Sequence, residues 1–289
     1  AFCEAGRTPY NPRSPEKVVA EMEECYLHYG IREIDIFDYE FTGIRDRVMK
    51  ICQLIKEKNW DMIWACRSRI DTVDVELLSE MKQAGCRRIY FGLESGRQDI
   101  LDRVQKGYSL KQVQDMIAAC SSLGIRTLGF FLVGAPGDTR ETVKETVAFA
   151  KKLNLDYVQF SKCLAKPLTP LWKDMVAQEQ KDYWRDWVLG TETDRELPRP
   201  WTELTNQEVD QLARWAYISY YARPSFLWKH LLKIGSFLEL KRKVLALIDM
   251  LWKQEPYSRP EKDFKAFNEN PAARVRNYQT APKHTAPPR

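Results

Sequence analysis

Residues 127–142 read TLGFFLVGAPGDTRET, an apolar run that passes through a glycine-rich turn into the start of a helix. The run at 127–133 is rich in phenylalanine and leucine, which predicts a buried strand. Gly134 and Pro136 predict a turn, and Thr139 is well placed to cap the helix that follows. A strand joined directly to a helix in this way indicates one step of a parallel sheet.

The same alternation of strand and helix occupies most of the first half of the chain. Short β-rich runs predict strands over residues 31–37, 62–66, 88–91, 127–133 and 157–161. Periodicity, caps and terminal glycines predict helices over residues 15–29, 44–58, 75–84, 110–123 and 139–153. Such βαβ units indicate a parallel sheet with right-handed crossovers. The repeat length fits either an open doubly wound sheet or a (β/α) barrel.

The composition of the 289 residues is that of an ordinary soluble globular protein, with 44% hydrophobic and 29% charged residues. The longest apolar stretch, near residues 128–133, is too short to span a bilayer. A net charge of +5 is mild for this length and does not by itself indicate nucleic acid as a partner. Seven cysteines without a C-x-x-C pair argue against a disulfide framework and favour a reducing cytosol. All but Cys3 are predicted to be small buried hydrophobes.

The character of the chain changes after residue 171. Residues 172–222 are helical in pattern and unusually aromatic, which more often indicates core than a cofactor site. Residues 223–253 are basic and amphipathic, and they could lie on a membrane surface or form a packed helix pair with a solvated basic face. The segment that follows is poor in large apolar residues and predicts disorder. We therefore predict three parts, covering residues 1–171, 172–254 and 255–289.

Four segments carry the chemical signal, and each lies where a predicted strand ends or a loop begins. They are FC at residues 2–3, DYEFT at 38–42, FGLESG at 91–96 and GFFLVGAPGDT at 129–139. Their order and placement resemble the radical SAM superfamily, and more narrowly its cobalamin-binding branch. The resemblance covers residues 1 to about 250. It implies a partial (β/α) barrel of the TIM type that lacks its first strand, followed by a helical C-terminal extension.

In this superfamily a C-x3-C-x2-C loop binds a [4Fe–4S] cluster, since thiolates are soft ligands that suit iron–sulfur clusters. The resemblance makes Cys3 the third of these ligands and places the peptide at Phe2 and Cys3 against the adenine of S-adenosylmethionine (SAM). The first two cysteines are then expected just upstream of Ala1, so that the chain begins inside the cluster loop. With one thiolate in place of three, the isolated chain is expected not to hold a stable cluster.

The resemblance also implies which residues contact SAM at the ends of the strands. Asp38 or Glu40 would bind its amino group, and Glu94 or Ser95 its ribose hydroxyls or its carboxylate. The backbone of the turn after the strand at 127–133 would lie against adenine, at Gly134 and Pro136. Two arginines, Arg67 and Arg69, could hold the SAM carboxylate as a fork or could be ion-paired structural residues. Glu94 is expected to be a surface acid whose loss costs little stability.

The activity that the resemblance implies is one-electron reduction of SAM by the cluster. Cleavage of the carbon–sulfur bond then yields a 5′-deoxyadenosyl radical that abstracts a substrate hydrogen, for C–H activation or methyl transfer. Cobalamin is expected only through a domain upstream of this chain, and no catalytic residue is assigned. The other interpretation is a catalytically inactive fragment or a structural and binding remnant without a cluster.

The expected partners follow from the same resemblance. They are a small-molecule or lipid-like substrate and an electron donor such as flavodoxin or ferredoxin. A cytoplasmic location is expected, and no nucleic acid is expected as a partner. The basic stretch could make peripheral contact with a membrane.

Overall fold

The computed structural model describes residues 10–191, 196–224 and 226. The described part contains five strands: β1 (Glu33–Ile36), β2 (Ile63–Ser68), β3 (Cys86–Glu94), β4 (Arg126–Val133) and β5 (Tyr157–Lys162). A short 3-10 helix, Ile70–Thr72, follows β2. Its α-helices are α1 (Pro15–Tyr29), α2 (Arg45–Glu57), α3 (Val75–Gln83), α4 (Gln98–Arg103), α5 (Leu110–Ser122), α6 (Arg140–Leu153), α7 (Pro170–Glu179), α8 (Tyr183–Leu189) and α9 (Asn206–Tyr221).

The five strands form one parallel sheet in the order β1-β2-β3-β4-β5, so each strand pairs with the next one along the chain. A doubly wound sheet would reverse its strand order, whereas a (β/α) barrel adds its strands consecutively. The sheet curls into a half-barrel with helices on its outer side. The fold is therefore a partial TIM-type barrel, and this prediction from the sequence is confirmed.

Side-chain caps begin the helices at the positions that the sequence indicates. Ser109 and Thr139 each form a reciprocal capping box, in which the third helical residue returns a hydrogen bond to the cap backbone. Asp74 accepts a hydrogen bond from the Leu77 amide at 2.8 Å at the start of α3. These bonds satisfy amides that would otherwise have no partner, and they fix where each helix leaves the sheet.

The core lies between the sheet and the helices on its outer side. Phe91 of β3 and Phe131 of β4 are fully buried there, and the Trp64 indole donates to the Ala84 carbonyl at 2.8 Å. Cys52 and four further described cysteines are also buried, as predicted, whereas Cys25 on α1 is only half-buried. Burial raises the pKa of the Cys52 thiol to about 12. These thiols are therefore packing groups rather than reactive ones.

The structure differs from the sequence predictions in the bounds of one strand and in one helix that was not predicted. Strand β3 runs over Cys86–Glu94 rather than residues 88–91, because FGLE continues the pairing with β4 instead of starting a turn. The six-residue helix α4 was not predicted, since it is too short to show a helical repeat.

The aromatic residues of the C-terminal part pack against the barrel. Helix α9 contacts β5 and α6. Tyr220 is fully buried, and its hydroxyl donates to the Leu155 carbonyl at 2.7 Å, while the Tyr221 hydroxyl donates to that of Val158 at 2.7 Å. The prediction that this cluster is core is confirmed for α9.

Most of the basic stretch at 223–253 and all of the predicted tail at 255–289 lie outside the described residues. Within the described part, no helix has the length and apolar character that crossing a membrane requires.

The Gly96→Ala substitution tests the packing of α6 on the end of β3. A methyl group at Gly96 would meet the Phe149 Cβ at 2.6 Å and the Thr146 Cα at 2.8 Å. Because both atoms belong to a packed helix, we expect the free energy of unfolding to fall by about 1–3 kcal/mol. Urea denaturation monitored by circular dichroism measures it.

Gly43→Ala is the matched control for this substitution. A methyl group at Gly43 would lie 3.5 Å from its nearest neighbour, the Glu40 Cδ atom. We expect a change within about 0.5 kcal/mol. Equal losses for the two variants would contradict tight packing at Gly96.

Candidate cofactor site at the carboxyl edge of the sheet

The loop after β1 is tied to the end of β2. The Phe41 amide donates to the Arg67 carbonyl at 2.9 Å, which extends the pairing of the two strands beyond β1. The buried Thr42 hydroxyl lies 2.5 Å from that of Ser68 and 2.6 Å from that of Thr72. These contacts hold Glu40 at the carboxyl edge, the edge of the sheet at which the strands end.

Glu40 is half-buried at this edge. Burial raises the pKa of its carboxyl group, while the Arg69 guanidinium and a hydrogen bond from Thr72 act in the opposite direction. The positive charges nearby thus compensate only part of what burial costs the ionised carboxylate. A cationic ligand group at Glu40 would supply the missing stabilisation.

Two arginines stand near the end of β2, Arg67 within the strand and Arg69 just after it. The Arg69 guanidinium binds Asp71 through two bonds of 2.9 and 2.7 Å and also donates to the Lys106 carbonyl at 2.6 Å. Arg67 donates to Asp35 at 3.0 Å and to the Ile36 carbonyl at 3.3 Å. Each guanidinium is therefore held by a carboxylate of this chain, which is the structural alternative that the sequence left open.

Glu94 ends β3 in a strained conformation. Its φ of 61° lies in the left-handed region, which a residue with a side chain rarely adopts. The pairing of β3 with β4 shifts register between Gly92 and Glu94, and the Ser95 amide turns back to the Leu93 carbonyl at 2.8 Å. Strain of this kind persists where the surrounding structure imposes it, and it is frequent at functional sites.

The Glu94 carboxylate forms an ion pair with Lys106, whose Nζ atom lies 2.6 Å from Oε1. Gly92 makes room for the pair, since a Cβ atom there would lie 2.8 Å from Glu94 Oε1 and 3.2 Å from Lys106 Nζ. Glu94 is only 6% exposed. The expectation of a surface acid was therefore wrong, because the carboxylate folds back over Gly92 to reach its partner.

Ser95 points away from the carboxyl edge. It is buried, and its hydroxyl lies 3.0 Å from that of Thr146 on α6 and accepts from the Arg97 amide at 3.2 Å. Of the two residues considered for the ribose, the geometry thus favours Glu94. Ser95 instead joins the end of β3 to α6.

The glycine-rich turn after β4 is held from both sides. Gly134 has a φ of 73°, and the buried Asp138 accepts from the Ala135 amide at 2.9 Å and from the Thr142 hydroxyl at 2.7 Å. Burial raises the pKa of the Asp138 carboxyl group, and these hydrogen bonds oppose the shift. The Trp201 indole donates to the Gly134 carbonyl at 2.9 Å. The backbone of this turn is therefore fixed in place.

Parallel pairing places Glu40, Glu94 and Gly134 at the same edge, because they follow β1, β3 and β4. Phe2 and Cys3, which were predicted to join them, lie outside the described residues. Asp38 is half-exposed in the same loop as Glu40, and Pro136 lies in the turn after β4.

Sequence reasoning missed Lys106 and Asp71, which complete the charged cluster formed with Glu40, Arg69 and Glu94. Lys106 stands twelve residues after Glu94, beyond the unpredicted helix α4. Its sequence neighbours give no sign of a strand end or of a motif. Asp71 stands two residues after Arg69, and this spacing was a usable signal for an ion pair.

The Lys106→Met substitution tests whether the ion pair holds Glu94 in its strained conformation. Removal of the cation leaves a buried carboxylate without its partner, so we expect a loss of about 3–5 kcal/mol in the free energy of unfolding. The double variant Glu94→Gln, Lys106→Met should recover most of that loss, because the unpaired charge is gone. Urea denaturation of the parent, the two single variants and the double variant gives the coupling energy between the two residues. A loss of stability in the double variant equal to the sum of the two single losses would contradict the pairing.

Comparisons with known proteins agree with the fold and the strand-end motifs. An uncharacterized methyltransferase of Pyrococcus horikoshii is 34% identical over 235 residues, which are 81% of this chain and 50% of that protein. The anaerobic magnesium-protoporphyrin IX monomethyl ester cyclase of Rubrivivax gelatinosus is 27% identical over 61% of this chain and 32% of that protein. The chain thus spans half or less of the length of these relatives.

Two solved structures share the fold. The cobalamin-dependent SAM radical enzyme OxsB, with aqua-cobalamin and SAM bound, aligns with a TM-score of 0.57 at 17% identity, over 92% of this chain and 46% of that one. The radical SAM methyltransferase TsrM of Kitasatospora setae, with cobalamin and a [4Fe–4S] cluster bound, aligns with a TM-score of 0.52 at 23% identity, over 57% of this chain and 34% of that one.

The family described as the Radical SAM superfamily matches residues 1–150, which is more than half of the chain and includes every strand-end segment described above. The consecutive parallel strands and the charged cluster at their carboxyl ends agree with this match. The chain belongs to the radical SAM superfamily.

Proposed function

We propose that this chain is the core of a radical SAM enzyme and that its carboxyl edge binds SAM. The observation that carries the proposal is the position of Glu40, a half-buried acid that the contacts of Phe41 and Thr42 hold at the carboxyl edge of the sheet. SAM presents a cationic amino group and a sulfonium, and a carboxylate with uncompensated burial suits such a ligand. The described residues therefore fit SAM.

The cluster is assigned to the segment that includes Cys3, because that cysteine stands where the superfamily has the last thiolate of its cluster loop and the family match begins at residue 1. When bound, the cluster would supply one electron to SAM, and cleavage of the carbon–sulfur bond would give methionine and a 5′-deoxyadenosyl radical able to remove a hydrogen atom from the substrate.

The residues at the carboxyl edge then have separate roles in holding SAM. Glu40 binds the amino group in preference to Asp38, because the contacts of Phe41 and Thr42 hold Glu40 at the end of β2, where burial disfavours an ionised carboxylate without a cationic ligand. Glu94 binds the ribose hydroxyls, and Lys106 and Gly92 position its carboxylate for this. The turn from Gly134 to Gly137 lies against adenine.

The reaction class that we propose is methyl transfer or another C–H activation. Its support is that relatives and fold neighbours carry methyltransferase names, and that the two solved structures contain cobalamin. We assign any cobalamin to a domain outside these 289 residues, and we propose an electron donor of the flavodoxin or ferredoxin type in the cytoplasm.

SAM titration by calorimetry tests the proposed site. The protein would carry a three-cysteine loop that ends at Cys3 and would be reconstituted anaerobically with iron and sulfide. Glu40→Gln and Glu94→Gln each remove one charged hydrogen bond, worth roughly 1.5–3 kcal/mol, so each should weaken SAM about ten- to a hundredfold. Asp38→Asn, in the same loop as Glu40, is the matched control and should change the affinity less than about threefold. A larger effect of Asp38→Asn than of Glu40→Gln would overturn the assignment of the amino group.

The pH dependence of SAM affinity tests the state of Glu40. The cationic amino group binds the ionised carboxylate, so affinity should fall as the pH drops through the pKa of Glu40. Because burial raises that pKa above the ordinary value of 4.5, the fall should begin at a higher pH than an exposed glutamate would give. Titrations from pH 8 to pH 5 should show the fall in the unmodified protein and a flatter profile in Glu40→Gln. Identical profiles for the two proteins would contradict the proposal.

A further inference from the structure

Four neighbouring side chains cross the inner face of the half-barrel, three of them below the carboxyl edge and Phe130 level with Gly92. We define the aromatic row as Phe37, Arg67, Tyr90 and Phe130, one residue from each of four neighbouring strands or their ends. The Arg67 Cζ atom lies 3.9 Å from the ring centroid of Phe37 and 5.2 Å from that of Tyr90. The Tyr90 and Phe130 rings meet edge to face, with centroids 6.5 Å apart and an angle of 73° between their planes.

Strand alternation places these four side chains on the face of the sheet opposite the main core. The residues of opposite parity, Cys66 on β2, Phe91 on β3 and Phe131 on β4, are fully buried against the helices. Successive side chains of a strand point to opposite faces, so Arg67, Tyr90 and Phe130 point the other way. Phe37 is 82% exposed, and Tyr90 and Phe130 are half-buried.

The polar atoms of the row already have partners within the chain. Arg67 is ion-paired with Asp35 at 3.0 Å. Burial raises the pKa of the Tyr90 hydroxyl, and the nearby Asp35 carboxylate adds to the shift. Because Asp35 neutralises Arg67, the row presents aromatic faces and a stacked guanidinium plane with little net charge. Such a surface suits the face of a planar π system better than a phosphate group, because the cation of the row is already paired with Asp35.

The dimensions of the row set the size of ligand that it can contact. Strands lie about 4.8 Å apart, so four adjacent strands extend the row over roughly 14 Å along the sheet. A single six-membered ring would touch two members, and a fused or linked ring system would touch three or four.

The row also lies close to the proposed SAM site. Arg69 and Gly92, at the carboxyl edge, each stand two residues beyond a member of the row, Arg67 and Tyr90. Two residues along a strand correspond to about 7 Å. A ligand on the row would therefore lie next to SAM bound at the carboxyl edge.

From these contacts we propose that the aromatic row binds the substrate, and that the substrate is a planar conjugated ring system of several rings. This substrate class rests on the proposed function, because SAM at the carboxyl edge is what makes a molecule on the row a substrate. Phe37 and Phe130 provide the stacking surfaces, and Arg67, held between the rings of Phe37 and Tyr90, fixes the spacing of those rings. The proposal makes Phe37 a specificity-determining residue.

Fluorescence titration of the 289-residue chain with 1-pyrenebutyrate tests the substrate class. This probe is a planar system of four fused rings with one carboxylate. Dodecanoate is the matched competitor, since it carries the same carboxylate on a flexible aliphatic chain. We expect saturable binding of 1-pyrenebutyrate that dodecanoate displaces poorly. Phe37→Leu should lower the affinity for the probe about three- to tenfold, because the substitution keeps apolar volume and loses the ring. Phe37→Tyr, which keeps a ring, should bind the probe about as well as the parent protein.

Tyr29→Ala is the control for exposed aromatic surface in general. Tyr29 ends α1 and is 71% exposed, comparable with Phe37, but it is not a member of the row. Its substitution should leave the affinity for 1-pyrenebutyrate unchanged. Melting temperatures of all variants should stay within a few degrees of the parent, since both residues are exposed. A large fall in the melting temperature of Phe37→Leu would show that Phe37 is a packing residue and would overturn the proposal.

Two further results would also overturn it. One is ready displacement of 1-pyrenebutyrate by dodecanoate, which would indicate an aliphatic site. The other is equal weakening of the probe by Tyr29→Ala and Phe37→Leu. SAM titrations separate this proposal from the proposed function. If SAM affinity depends on Glu40 and Glu94 but probe binding does not depend on the aromatic row, only the proposed substrate class is disproved. If probe binding depends on the aromatic row but SAM affinity does not change on substitution of Glu40 or Glu94, the SAM site is disproved and a site for a planar ligand is supported.

Discussion

Parallel pairing of consecutive strands is the constraint on which the rest of this structure depends. Because β1 to β5 run in one direction and in chain order, every loop that follows a strand emerges at the same edge of the sheet. Acids that are far apart in the chain, Glu40 and Glu94, thereby come to share one charged cluster with Arg69 and Lys106. The same geometry separates the two faces of each strand, with the core on the helical side and the aromatic row on the other.

The carboxyl edge is held in place mainly from the helical side. Ser95 joins the end of β3 to α6, and Asp138 and Trp201 fix the turn after β4. Gly96 allows α6 to approach closely enough for these contacts. The strained backbone at Glu94 persists because this packing and the Lys106 ion pair impose it. Such a preformed arrangement lowers the cost of ordering side chains when a ligand binds.

Much of this arrangement could be predicted from the sequence, because strand ends and helix caps are local signals. The alternation of strands and helices, the cap at Thr139 and the position of Glu94 near a strand end follow from short patterns. The consecutive strand order does not, because the repeat length alone also fits a doubly wound sheet. The burial of Glu94 could not be predicted, because it depends on an ion pair with Lys106 across an unrecognised six-residue helix. The aromatic row could not be predicted either, since it depends on the register in which neighbouring strands pair.

The central claim is that the carboxyl edge binds SAM, and a crystal structure of the cluster-reconstituted protein with SAM tests it most directly. The account predicts the SAM amino nitrogen at about 2.7–3.2 Å from a Glu40 carboxylate oxygen. It also predicts a ribose hydroxyl at hydrogen-bond distance from Glu94 and adenine against the turn at 134–137. SAM bound elsewhere, with Glu40 and Glu94 in contact with protein groups alone, would contradict it.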